Sequence, residues 1–139
     1  MNWYKKAQFQ LWHGSSEVFN SSAEMPEGHR GYFATTSPLV AKKFGPNLHI
    51  ITLKTNNIFN PATDETNLDI FAEKLKHLNK LYGKEGIKQR AKEGGYGLFE
   101  QPQVKWVLEE LGFAGNYQIE DGEQVIRLFH REDFNIEPI

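Results

Sequence analysis

The chain contains no cysteine, which removes disulfides, thiolate metal sites and cysteine nucleophiles together. The lack of disulfides fits a reducing compartment, and the cytoplasm is the expected location. No run approaches the roughly 18 apolar residues of a membrane span, and the opening MNWYKKAQ is not followed by the apolar stretch of a secretion signal. No membrane association is expected. Charge of one sign is scarce too. The 16 Lys and Arg are mixed with 18 Asp and Glu for a net charge of −2, so a nucleic-acid partner would need a local basic patch. Neither a Gly-x-x-x-x-Gly-Lys nor a Gly-x-Gly-x-x-Gly phosphate loop occurs, and no Gly-x-Ser-x-Gly turn surrounds Ser15 or Ser16. The five histidines, with His77 and His130 reading as surface residues, lack metal-ligand spacing, so no metal is expected.

What is present suits one globular unit. The length of 139 residues, with 39% hydrophobic and 24% charged residues, buries enough apolar surface for a single domain over 1–139. A monomer is the default expectation.

Residues 7–13 (AQFQLWH) alternate as a strand ending at His13-Gly14, and a polar stretch from Ser15 to Arg30 reads as loop or short helix. Gly31-Tyr32-Phe33-Ala34 is a short aromatic strand. Ser37 and Pro38 then open a helix that stops at Gly45-Pro46. His49–Leu53 is the best strand, and Ile58-Phe59 a possible short one. Between Glu65 and Tyr82 the positions Leu68, Phe71, Leu75, Leu78 and Tyr82 form one helical stripe. Residues 83–97 are basic and glycine-rich, a weak helix or a loop. Gln101-Pro102 opens a helix that Gly112 closes. Asn116–Ile119 and Gln124–Phe129 flank Glu120-Asp121-Gly122-Glu123, a hairpin signal. That order reads as α+β.

Chemistry is concentrated early. A histidine beside a glycine offers hydrogen bonds next to an accessible backbone, and an aromatic face gives a flat ring a surface to stack on. A lone histidine is more often a satisfied core or surface residue. Here Leu11-Trp12-His13-Gly14-Ser15 is followed, 19 positions after the histidine, by Tyr32 of Gly31-Tyr32-Phe33-Ala34, and then by the helix holding Ala41 and Phe44.

That combination resembles the NAD-binding half of the ADP-ribosyltransferase fold in its histidine–tyrosine–glutamate branch, the branch of diphtheria toxin and the poly(ADP-ribose) polymerases. Leu108-Glu109-Glu110-Leu111-Gly112-Phe113-Ala114-Gly115 before the last hairpin is similar to compact bacterial and phage members. The resemblance covers roughly residues 9–59 and 102–136, and implies a split β-sheet core with a helical insertion at about 60–101. It further implies NAD as substrate, mono-ADP-ribosyl transfer to a macromolecular acceptor of unknown identity, His13 and Gly14 on ribose and amide, and Ser15 on the adenosine ribose. Tyr32, Phe33 and Ala34 would line the nicotinamide pocket, with Phe44 stacking opposite Tyr32.

The family's third catalytic position is a glutamate on a late strand. Counting four back from Phe129 reaches Val125, a departure from the pattern. A one-residue bulge would bring in Gln124, a longer strand would bring in Glu123, and Glu120 is a third candidate that otherwise reads as part of a solvated acidic turn. A carboxylate can stabilise oxocarbenium-like charge, whereas a glutamine only hydrogen-bonds, so the alternatives are a weak or inactive NAD-binding module of the same fold or an NAD glycohydrolase. Lys84, Lys88, Arg90 and Lys92 form either a solvated face or an acceptor-docking patch.

Overall fold

Alternating residues along three segments build a first sheet. The computed structural model describes residues 10–26, 31–78, 80 and 82–139; the strand expected at residues 7–9 and the loop at 27–30 lie outside the described residues. Strands β1 (Gln10–Ser15), β3 (Asn47–Leu53) and β7 (Phe134–Pro138) pair antiparallel in the order β1-β3-β7. The second sheet, of order β2-β6-β5-β4, joins β2 (Tyr32–Ala34), β6 (Glu123–Leu128), β5 (Gly115–Glu120) and β4 (Ile58–Phe59), with β4 parallel to β5. The fold is α+β, with two sheets as expected. Strand β7 and the parallel pairing of β4 were not foreseen.

Period-2 alternation sets what each sheet buries. Leu11, Ile51, Leu53, Phe134 and Ile136 of the first sheet meet Tyr32, Ala34, Tyr117, Ile126 and Leu128 of the second in one apolar cluster. The sheets are also stitched edge to edge, because the Trp12 and Thr35 backbones exchange hydrogen bonds of 2.9 and 2.8 Å. The β5–β6 turn runs through Asp121 and Gly122 at φ 52° and 77°, the left-handed pair that a two-residue hairpin needs.

The helices form a second cluster. In α2 (Glu65–Leu78) the Asp64 side chain accepts from Asn67 N at 3.2 Å to cap the start, and Leu68, Phe71, Ala72 and Leu75 are buried. Helix α3 (Gly83–Lys92) resolves the basic stretch as a helix that buries Ile87 and Ala91. After the single turn α4 (Tyr96–Phe99), α5 (Pro102–Glu110) buries Val104, Val107 and Leu108 against Phe59, Phe71, Phe99 and Phe113. Lys84 pairs with Asp69 and Glu73, Lys88 with Asp69 and Lys92 with Glu65, while Arg90 lies over the Tyr82 ring. The basic residues of α3 therefore lace it to α2 and its approach. Among the described residues, no helix is long and apolar enough to cross a membrane.

Candidate functional site

Helix α1 (Pro38–Lys42) places one wall of the site. Ser37 accepts from Val40 N at 3.4 Å and Pro38 occupies the first turn, so the helix starts where the sequence motif predicts. It packs so tightly on β1 that a Cβ at Gly14 would overlap the Ala41 carbonyl. The room left by the missing side chain is thus filled by α1, while Gly14 itself still borders the cavity on this side of β1.

Trp12, His13 and Gly14 from β1, Phe33 and Thr35 from the β2 edge, Phe44 beyond α1, and Glu120 and Val125 from the hairpin enclose a cavity of about 180 Å³. Strand pairing explains the membership. Directly opposed residues share a face, and Phe33 opposes Arg127 while Gln118 opposes Val125 and Glu120 opposes Glu123, so Phe33, Thr35, Val125 and Glu120 all project from the same side of the second sheet. Tyr32 and Ala34 project from the other side. Both are buried in the inter-sheet cluster, with the Tyr32 ring 5.5 Å from that of Phe134. The aromatic residues that share the cavity with His13 and Trp12 are Phe33 and Phe44, and Tyr32, expected opposite Phe44, is not among its lining residues.

A second cavity of about 320 Å³ lies on the other side of His13. It is lined by Ser15, Ser16, Glu17 and Phe19, with Met25 and Tyr32 among the rest of its wall. His13 and Phe33 border both cavities. Tyr32 therefore meets this outer cavity and not the inner one.

His13 Nδ1 lies 2.6 Å from the Phe33 carbonyl oxygen, which can only accept, so Nδ1 carries the proton. Burial above all holds the imidazole below its usual pKa; the bond to Phe33 opposes this and neighbouring His49 adds to it. A neutral ring protonated at Nδ1 leaves the Nε2 lone pair as an acceptor.

The ladder between β5 and β6 runs unbroken from Gly115↔Leu128 to Glu120↔Glu123. Without a bulge, Gln124 shares parity with Ile126 and lies on the opposite side of the sheet from Val125 and Glu120. Glu123 has the right parity but pairs with Lys43 at the end of α1 and does not line the cavity. Glu120, the third candidate and otherwise read as a turn carboxylate, is the acidic residue in the cavity wall.

His49 is a component that the sequence reading missed. It is fully buried, opposite His13 in the β1–β3 pairing. The available signal was its parity with Ile51 and Leu53, which puts it on the core face of the strand. Among the described residues, no group of three or more His, Cys, Asp or Glu side chains is placed to hold a metal ion.

No family model matches the chain, and no curated protein matches it. Among solved structures, the crystal structure of an anti-CRISPR protein is similar, with a TM-score of 0.61 over 94% of each chain at 15% sequence identity. At that identity the likeness is one of fold.

Proposed function

We propose that this chain is an NAD-dependent mono-ADP-ribosyltransferase with the split-sheet core of that family. The observation that carries the reading is the convergence of His13, Gly14, Phe33, Phe44 and Glu120 on one small cavity, from segments up to about a hundred residues apart in sequence.

The residues suit the substrate. Phe33 and Phe44 offer aromatic faces to nicotinamide, and the neutral His13 ring offers an Nε2 acceptor to a ribose hydroxyl. The larger cavity beyond His13, with Ser15 and Ser16 in its wall, suits the adenosine half. Glu120 takes the role of the third catalytic residue. Its carboxylate accepts the 2′-hydroxyl of the nicotinamide ribose and stabilises the positive charge that grows on the sugar as the C1′–nitrogen bond breaks. Nicotinamide leaves with the bonding electron pair as a neutral pyridine. The acceptor nucleophile then bonds to C1′ and gives up its proton.

The test is incubation with NAD labelled in the adenylate half, with and without cell extract. Label fixed to macromolecule together with released nicotinamide supports transfer. Because the fold neighbour is an anti-CRISPR protein, a CRISPR effector component is a defined acceptor to assay beside the extract.

A second reading, an NAD-binding module without transfer, is favoured by Val125, an apolar residue in the cavity at the position where the family pattern calls for glutamate. Reversible NAD binding with neither nicotinamide release nor labelled product would establish it. Free nicotinamide without labelled macromolecule would indicate hydrolysis of NAD.

A further inference from the structure

His49 alternates with Ile51 and Leu53 on β3, a position that the strand pattern assigns to an apolar side chain. A histidine there must satisfy two ring nitrogens away from water. It does so with backbone. Phe19 N–H donates to His49 Nε2 at 2.9 Å, so Nε2 holds a lone pair, and Nδ1–H donates to the His13 carbonyl at 3.3 Å. One tautomer satisfies both bonds.

Those partners belong to the site. Phe19 and His13 both line the 320 Å³ cavity, whereas His49 lines neither cavity. The Phe19 ring lies 5.6 Å from that of His49 and 6.4 Å from that of His13, so the three rings form one cluster. The segment after β1 is tied to the body of the molecule at Ser16 by Asn47 and at Ala23 and Met25 by Arg131. Phe19 sits between those ties, at the hydrogen bond to His49.

We infer that His49 is a positioning residue for NAD: it sets the Phe19 wall of the adenosine cavity and the backbone of His13 through its two ring nitrogens, without touching the ligand. The inference rests on the proposed NAD site. A leucine at 49 fills a comparable volume but has no acceptor, and a glutamine can present a carbonyl oxygen to Phe19 N–H.

The experiment compares wild type, His49→Leu and His49→Gln by NAD binding, steady-state kinetics and hydrogen exchange at the Phe19 amide. The expected result for His49→Leu is an NAD Kd and KM raised about tenfold with kcat changed less than about threefold, and faster exchange at Phe19. His49→Gln should recover most of both. A Leu variant with wild-type Kd and KM overturns the assignment, as does a matching loss in the Gln variant or an equal fall in kcat. Should the Leu variant not fold, Phe19→Ala tests the same link, and unchanged NAD affinity there overturns it. Absence of NAD binding by the wild-type protein removes the functional reading itself, a result distinct from wild-type binding that His49→Leu leaves intact.

Discussion

Glu120 and Glu123 are directly opposed across the β5–β6 hairpin, yet only Glu120 borders the cavity that contains His13. Glu123 is turned to Lys43. Two carboxylates on one face at one turn are thereby given separate positions. Glu120→Gln is expected to lower transfer by roughly 10²–10³ while leaving NAD affinity within a few-fold, since the carboxylate acts on charge that develops only as the bond breaks. Glu123→Gln should cost less than about tenfold in rate and, as one half of a largely exposed ion pair, under about 1 kcal/mol in stability. Initial rates with labelled NAD check both, and an equal loss in the two variants would remove Glu120 from its role.

Tyr32 and Phe33 are consecutive aromatics that project from opposite sides of the second sheet. Phe33→Ala is expected to weaken NAD binding about tenfold, about 1.4 kcal/mol, with a smaller effect on folding than its neighbour. Tyr32→Ala should destabilise the inter-sheet cluster by about 3–5 kcal/mol. Calorimetric titration and urea unfolding, run on both variants, read the two effects apart.

Gly14→Ala is expected to destabilise the protein by about 1–3 kcal/mol, because the added methyl meets the backbone of α1 and not a movable side chain. Thermal unfolding measures it. Unchanged stability would mean that α1 does not sit on β1 in solution.

The lowered pKa of His13 fixes the sign of a pH effect. As pH falls below about 6.5 the unfolded imidazole takes up a proton before the folded one, so its contribution to stability is present above that value and declines toward the lower folded pKa. Comparing urea midpoints of wild type and His13→Gln between about pH 5 and 8 should show a steeper acid loss in wild type. The same shift keeps Nε2 available as an acceptor in mildly acidic solution, and NAD affinity should persist to lower pH than an unperturbed histidine would allow.

Changing Lys84, Lys88 and Lys92 together to Gln should leave labelling of the acceptor unaltered, since each is engaged with a carboxylate of α2. A strong loss of acceptor labelling with normal nicotinamide release would restore the docking-patch interpretation.

Much of this arrangement was legible locally. Asp121-Gly122 announced the hairpin, Ser37-Pro38 the first helix, and the stripe from Leu68 to Leu75 the second, because each signal comes from neighbouring residues in the chain. What local pattern could not carry was orientation. Tyr32 and Phe33 are equally aromatic, and only the pairing of β2 with β6 decides which one enters the cavity. Glu120 resembled any turn carboxylate until Phe44 and His13, remote in sequence, were brought beside it. The basic run in α3 looked available because its acidic partners lie a helix earlier. The parallel contact of β4 with β5 joins residues separated by four helices, a distance that no window of periodicity spans.

The Trp12–Thr35 bridge is a narrow seam between the two sheets; both of its residues line the smaller cavity, and His13, next to Trp12 on β1, borders both cavities. On the proposed reading, a dinucleotide occupying both cavities would act as a rivet, resisting any parting of the halves on either side. Scission of the C1′–nitrogen bond would cut that rivet at its nicotinamide end. The clamp would slacken on that side, and release of nicotinamide would follow from the cut itself.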